Sequence, residues 1–267
     1  MKKIALILIP LLLVAGCART PRLVILHTND THSHLEPMRS GPLDSHGGAI
    51  ERAAFVDSVR RAVGESRVLL LHAGDFSQGT SYFTEFGGEV EDGVLRAMRY
   101  DCVTLGNHEF DNGIEALGER LSGFECEVVC ANLDLSPFEL GKKVKPYAII
   151  ERGGLKVGII GLEADLSSCV SKTVSSRIPQ LDPVEVTLKY ASILRSEGCD
   201  LVILLSHQGY EEDHRIVAAS RGLDLVIGGH THTFVEDFDY VRDLDGRKVP
   251  IITDGCWGLE MGEVRVY

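Results

Sequence analysis

The sequence predicts an α/β protein in which sheets pack face to face and helices cover the outside. Three observations carry that expectation. Almost wholly apolar runs such as Val68–Leu71, Cys102–Leu105 and Leu201–Leu205 read as strands covered on both faces, since a half-solvated strand would alternate apolar and polar residues. Segments with apolar residues at helical spacing separate these runs, which is the pattern of a sheet flanked by helices. A hairpin signal and a β-rich tail add strand character that one parallel sheet does not absorb.

Residues 1–16 are expected to lie outside the fold. Lys2 and Lys3 precede an apolar run, Ile4–Ala15, that falls short of the roughly 20 residues a helix needs to cross a bilayer. That is the pattern of a secretory signal peptide. It ends Leu13-Val14-Ala15-Gly16-Cys17, which resembles the bacterial lipoprotein cleavage box, so Cys17 is the expected lipid-attachment site. The alternative, an ordinary signal peptide cut after a small residue, gives that cysteine no role. The mature chain, 17–267, is expected to be one exported domain, lipid-anchored to a bacterial membrane on the periplasmic or cell-surface side.

Arg22–His27 is the first expected strand and runs into Thr28-Asn29-Asp30-Thr31-His32. A loop rich in Gly, Pro and Ser, Glu36–Gly48, leads to a helix with Ala49, Ala53, Val56, Val59 and Val63 on one stripe. The strand Val68–Leu71 ends in His72-Ala73-Gly74-Asp75. A helix over Val90–Met98 leads to the strand Cys102–Leu105, which delivers Gly106-Asn107-His108-Glu109-Phe110-Asp111. A further helix runs from near Gly113 to about Leu121. Val128-Val129-Cys130-Ala131-Asn132 reads as strand and turn. Pro146–Ile150 and Lys156–Ile160 flank Gly153-Gly154 as a hairpin. Asp182 suits a helix N-cap, Pro183 the first helical position, and Gly198 the end of that helix. Leu201–Leu205 and Leu223–Ile227 are buried strands, and Pro250–Thr253 and Gly262–Tyr267 close the chain with β character. No repeat or low-complexity linker marks a second domain.

The net charge is −12, and losing Lys2 and Lys3 makes it −14. That disfavours a nucleic-acid backbone as partner. It equally disfavours electrostatic attachment to anionic lipid, so anchoring is expected from acyl chains. Cys102, Cys126, Cys130, Cys169, Cys199 and Cys256 form no CxxC or zinc-ribbon spacing and read mostly as buried small hydrophobes. Cys126 and Cys130 are expected on one face of a strand about 13 Å apart, too far to bridge each other. Other pairings stay open in an oxidising compartment.

The chemistry lies at the strand ends. Asp30-x-His32, Gly74-Asp75, Asn107-His108, Ser206-His207 and Gly228-Gly229-His230-Thr231-His232 are expected to meet at one end of one sheet. Any one of these clusters alone is an ordinary turn or cap; five at successive strand ends define a site. Nitrogen and oxygen donors without a thiolate suit zinc, manganese, cobalt or iron. The seven donors, Asp30, His32, Asp75, Asn107, His207, His230 and His232, exceed what one ion with open positions needs. They suit two divalent ions about 3.5–4 Å apart that share a carboxylate. Asp75 is the expected bridge, since Gly74 and Gly79 let backbone and ligand approach closely. His27 and His72 read as hydrogen-bonded core residues, His34 as a neighbour of the site, and His46 and His214 as solvated.

These motifs resemble the five motifs of the calcineurin-like metallophosphoesterases. Thr28-Asn29-Asp30-Thr31-His32, Gly74-Asp75-Phe76-Ser77-Gln78-Gly79-Thr80, Gly106 to Asp111 and Gly47-Gly48 resemble more narrowly the 5′-nucleotidases of bacteria and animals. The resemblance implies a four-layer α/β/β/α fold and phosphoester hydrolysis at two divalent metal ions. It implies one ion at Asp30, His32, Asp75 and His232, and the other at Asp75, Asn107, His207 and His230. His108 would face the phosphate with Asp111 as its orienting partner, and Asn132 would lie near the substrate. Two cations would acidify a water and neutralise phosphate charge. His108 would steady the transition state or protonate the leaving oxygen.

The 5′-nucleotidases usually carry a C-terminal domain that binds the nucleoside, whereas this sequence stops soon after His232. Loose substrate choice, or a separate chain supplying that domain, is the expectation that follows. Rival activities are a 2′,3′-cyclic-nucleotide phosphodiesterase, a nucleotide-sugar pyrophosphatase and a thiosulfohydrolase. A non-catalytic nucleotide-binding surface lipoprotein would be marked by a lost ligand or a lost His108, and both are present.

Overall fold

The computed structural model describes residues 20–267, so the expected signal peptide and the lipidation expected at Cys17 lie outside the described residues. In chain order the elements are β1 (Leu23–Thr28), α1 (Ala49–Val63), β2 (Val68–His72), α2 (Ser81–Phe86), α3 (Glu89–Met98), β3 (Cys102–Thr104), α4 (Ile114–Leu121), β4 (Glu127–Val129), β5 (Val144–Lys145) and β6 (Tyr147–Arg152). They continue with β7 (Leu155–Glu163), α5 (Leu166–Cys169), α6 (Lys172–Ser175), α7 (Pro183–Ser196), β8 (Leu201–His207), α8 (Tyr210–Ala218), β9 (Leu225–Ile227), β10 (Asp239–Arg242), β11 (Lys248–Ile252) and β12 (Gly262–Val266).

Two six-stranded sheets result, ordered β12-β1-β2-β3-β4-β5 and β10-β11-β9-β8-β7-β6. Strands β1 to β5 run parallel, with β12 antiparallel at one edge. In the second sheet β7, β8, β9 and β11 run parallel, and the edge strands β6 and β10 are antiparallel.

The side-chain period of two in a strand sorts the apolar runs into layers. Leu23 and Ile25 of β1 and Leu69 and Leu71 of β2 pack against Val157 and Ile159 of β7 and Ile203 and Leu205 of β8, which forms the core between the sheets. The alternate residues Val24, Leu26, Val68 and Leu70 meet Val56 and Val59 of α1, Leu95 of α3 and Leu117 of α4. On the far side Val202 and Leu204 of β8 pack with Leu194 of α7 and Ile216 of α8. The order is therefore helices, sheet, sheet, helices, as expected. A strand covered on both faces has no polar face, and at about 1.5–3 kcal/mol for each fully buried large apolar side chain this pattern dominates the packing.

Asp182 caps α7 by accepting hydrogen bonds from the backbone N–H groups of Val184 and Glu185, each at 2.9 Å. The helix ends at Ser196, and Gly198 follows with φ +78°. Two expectations are corrected. The strand expected through Cys130 is confined to Glu127–Val129, so Cys126 and Cys130 flank it, and all six described cysteines are free. His214 is half-buried rather than solvated: its Nδ1 bonds the carbonyl of Tyr210 and its Nε2 bonds Asp239, both at 2.7 Å. His27 is fully buried with Nδ1 2.7 Å from Asp254, and His72 Nε2 lies 3.0 Å from Thr31 Oγ1. No described helix is long and apolar enough to cross a membrane.

Candidate metal centre

The polar clusters do converge, though not at one end of one sheet. Asp30, His32, Asp75 and Asn107 follow β1, β2 and β3 of the first sheet, whereas His207 ends β8 and His230 and His232 follow β9 of the second. The centre sits where the two sheets meet. The strand-end loops are stitched together by backbone bonds, from Asp30 N–H to Gly74 O at 2.9 Å and from His32 N–H to Asp75 O at 3.0 Å.

Asp75 occupies the middle. Its Oδ1 accepts from the backbone N–H of His108 at 2.9 Å. Its Oδ2 lies 3.1 Å from His207 Nε2 and 3.8 Å from His32 Nε2. On one side, Asp30 Oδ1 is 3.8 Å from His32 Nε2 and 3.5 Å from His232 Nε2, and those two imidazole nitrogens are 2.9 Å apart. On the other, Asp75, His207 and His230 bring a ligand atom each within 4.8 Å of one another. Asn107 Oδ1 lies 2.9 Å from His230 Nδ1. All seven expected donors are thus in one cluster, with Asp75 between its two halves.

His207 carries the chemical signature of the site. Its Nδ1 donates to the carbonyl of Ala73 at 2.7 Å, which directs Nε2 at Asp75. That nitrogen is buried and faces Asp75 Oδ2 at 3.1 Å, at an angle that completes no hydrogen bond. Burial opposes charge on His207, yet the carboxylates of Asp75 and Asp30 outweigh it and raise its pKa well above the ordinary value. Two carboxylates that draw positive charge to one buried spot suit a cation held among nitrogen and oxygen ligands.

The backbone is strained at the same residues. Asp30 (φ 46°), His32 (φ 45°), Asp75 (φ 55°), His230 (φ 76°) and His232 (φ 53°) all adopt the left-handed region. Each such residue costs on the order of 1–3 kcal/mol and persists only where the surroundings over-determine it. Gly74 and Gly79 provide the close approach expected of them. A Cβ on Gly74 would lie 2.7 Å from His207 Nδ1, and one on Gly79 2.6 Å from the carbonyl of His32.

His108 stands at the rim, 31 % exposed, with Nδ1 2.8 Å from Asp111 Oδ2. That hydrogen bond to Asp111 raises its pKa, against partial burial. Asn132 is held by the backbone of Glu163, the residue paired with His207 across β7 and β8. It is buried, its Nδ2 donates to Glu163 O at 2.6 Å and its Oδ1 accepts from Glu163 N–H at 2.9 Å. Its amide joins the segment after β4 to the end of β7. His34 stacks on Trp257 at 5.1 Å between ring centroids, with its Nδ1 on the carbonyl of His32.

Glu109 was not singled out by the sequence. Its Oε2 accepts from Asp75 N–H at 2.9 Å and Gly106 N–H at 2.6 Å, and its Oε1 accepts from Ser77 N–H at 3.0 Å. One buried carboxylate therefore ties the loop after β2 to the loop after β3. Its signal was an acidic residue followed by a core phenylalanine, Phe110, inside an otherwise site-forming motif.

A two-sheet α/β/β/α frame with this donor cluster at its crest defines a class, and residues 23–234 match the model of the calcineurin-like phosphoesterases. The chain belongs to that family. Within it, the chain is 35% identical to a snake venom 5′-nucleotidase of Naja atra over 91% of its own length and 50% of that protein. It is 37% identical to a probable 5′-nucleotidase of Treponema pallidum, over 80% of this chain and 37% of that protein. Its fold matches a 5′-nucleotidase precursor of Thermus thermophilus with a TM-score of 0.84 and 33% identity, covering 90% of this chain and 50% of the other. The NAD nucleotidase of Haemophilus influenzae matches with a TM-score of 0.81 and 30% identity, covering 90% and 46%. The chain spans about half or less of the length of these relatives.

Proposed function

We propose that this chain hydrolyses phosphomonoesters of nucleotides at a pair of divalent cations, outside the cytoplasm. The observation that carries the reading is the convergence of seven nitrogen and oxygen donors from both sheets around Asp75, with the buried His207 Nε2 aimed at its carboxylate. The donor set fits the cations that the family implies. Asp30, His32, Asp75 and His232 would hold one, and Asp75, Asn107, His207 and His230 the other. When bound, such a pair supplies Lewis acidity and an acidified water. The chain's own contribution is positional and protonic. Asp75 registers the two half-sites, and the backbone N–H of His108 fixes which Asp75 oxygen faces inward. His108, oriented through Nδ1 by Asp111, presents Nε2 to the phosphate and can donate a proton to the leaving oxygen.

The nucleotidase relatives support a nucleotide as substrate, and their greater length supports a separate chain or further segment that binds the nucleoside. Export and a lipid anchor at Cys17 belong to the same reading and rest on the N-terminal sequence. A dinucleotide or nucleotide-sugar substrate is the second reading, favoured by the likeness to an NAD nucleotidase.

The test is an assay of purified protein with manganese or zinc on AMP, 2′,3′-cyclic AMP, NAD and UDP-glucose. AMP is expected to be turned over fastest. Activity on AMP is expected to vanish with chelator and to fall about 10²–10³-fold in Asp75→Asn, on the scale of removing a principal electrostatic group. Unchanged hydrolysis after both perturbations would end the proposal.

A further inference from the structure

Asn29 lies beneath the metal centre and touches both sheets at once. It is buried at 1% exposure, immediately before Asp30. Its Oδ1 accepts from the backbone N–H of Asp254 at 2.8 Å. Its Nδ2 donates to Asp30 Oδ2 and to the carbonyl of Gly255, both at 2.7 Å. The amide cannot be flipped. A backbone N–H only donates and a carbonyl only accepts, so Oδ1 must face Asp254 and Nδ2 must face Gly255. Both amide protons and the oxygen are thereby engaged.

The consequence falls on Asp30. Its Oδ2 accepts from Asn29 Nδ2 at 2.7 Å and from the backbone N–H of His230 at 2.9 Å, a donor it shares with Oδ1 at 3.1 Å. Its Oδ1 is the oxygen directed at His32 (3.8 Å), His232 (3.5 Å) and His207 (3.9 Å). The carboxylate therefore turns Oδ1 toward the imidazoles, while Oδ2 carries the Asn29 donor and the shorter arm of the His230 bond. The support reaches further back, because Asp254 Oδ2 accepts from Gly262 N–H at 3.0 Å and lies 2.7 Å from His27 Nδ1. Asn29 follows β1 of the first sheet, while Asp254 and Gly255 follow β11 of the second.

From this geometry we infer that Asn29 is a positioning residue, which selects the Asp30 oxygen offered to one of the two cations and fixes the register of the sheets under it. The inference rests on the dinuclear reading above. Its distinguishing feature is asymmetry. Asn29 touches Asp30 and makes no hydrogen bond to Asp75, Asn107, His207 or His230, so the loss of its donors falls first on the half-site of Asp30, His32 and His232 and reaches the other only through the Asp30–His230 bond. Groups that orient a metal ligand from behind typically contribute 10–100-fold in affinity.

The experiment is calorimetric titration of metal-stripped protein with Zn²⁺ alone, without substrate. Wild type is expected to bind two ions. Asn29→Asp keeps the shape and the acceptor for Asp254 but replaces the donor with a carboxylate against Asp30. Asn29→Ala removes the donor without adding charge. Both are expected to keep one ion at wild-type affinity and to bind the other 10–100-fold more weakly. Two ions bound within twofold of wild type in either folded variant would overturn the inference and leave the dinuclear reading standing. Equal weakening of both ions would overturn it too. A wild type that binds no zinc would overturn both readings. Should neither variant fold, ¹⁵N-labelled wild type decides: the side-chain amide pair of Asn29 is expected to shift with only one of the two zinc equivalents, and an unmoved pair would refute the assignment.

Discussion

Gly106→Ala presses directly on Asp75 without adding charge or removing a ligand. Gly106 has φ −116° and ψ 175°, an extended conformation that alanine adopts freely, so backbone strain is not introduced. A Cβ there would lie 2.3 Å from Asp75 Oδ1, 2.4 Å from Asp75 N and 2.8 Å from Asp75 Cγ. Reaching an ordinary contact near 3.4 Å requires a displacement of about 1 Å. Asp75 cannot yield alone. Its N–H is held by Glu109, its carbonyl by His32 N–H and its Oδ1 by His108 N–H. The displacement is therefore shared with Asn107 and His108, on the opposite side of the clash. A misplacement of about 1 Å at a catalytic group costs on the order of 10²-fold, equivalent to about 2.7 kcal/mol of transition-state stabilisation. Overpacking costs a further 1–3 kcal/mol or so of fold stability. Steady-state hydrolysis of AMP at saturating manganese measures the first quantity, and denaturant unfolding of the metal-free protein the second. A folded variant with kcat/KM within threefold of wild type and unchanged metal affinity would refute the placement of Asp75 at the centre.

Other positions give simpler outcomes. Gly93 is exposed within α3, and a Cβ there would meet nothing within 4 Å, so Gly93→Ala is expected to stabilise the fold by about 0.5–1 kcal/mol in urea unfolding, with activity unchanged. Asp182→Ala removes two N-cap bonds of α7 and is expected to cost about 1 kcal/mol by the same measurement. Asp213 is buried, accepts from Ser206 Oγ at 2.5 Å, and burial pushes its pKa up to about 7. The folded state then keeps a proton that the unfolded chain releases near pH 4, so stability falls as pH rises from about 4 to 7 and levels off above, by at most about 4 kcal/mol. Asp213→Asn is expected to flatten that slope, so that its stability relative to wild type improves between pH 5 and 8; parallel pH curves would show that Asp213 is ionised in the fold.

The sequence made the buried strands readable because both faces of each are covered and the apolar run is unbroken. It did not reveal which sheet a strand joins. β8 and β9 read just like β2 and β3, since a parallel strand between two layers carries no local mark of its neighbours, and this is why the donors were expected on one sheet. β10 went unseen because it is an edge strand, with Asp239 and Arg242 among its four residues and every second one exposed. The six-residue α2 spans fewer than two helical turns between Gly79 and Gly87-Gly88, too short for a periodic pattern to mark it.

The candidate ligands were readable for a different reason. Each stands at a strand end, where periodicity stops and polar residues begin, and only their number in succession separated them from ordinary turns. What could not be read was their conformation. Five of the seven hold left-handed backbone angles that Asp and His disfavour, so local propensity argues against the structure the site requires. The compensation comes from residues with no recognisable chemistry of their own. Glu109 fastens Asp75 by its backbone, and Asn29 fastens Asp30 by its side chain. Neither brace is local in topology, since each joins loops from different strands or sheets. A strained donor set and its distant braces therefore have to be chosen together, and a substitution at a brace is expected to disturb the candidate metal centre before it disturbs the core.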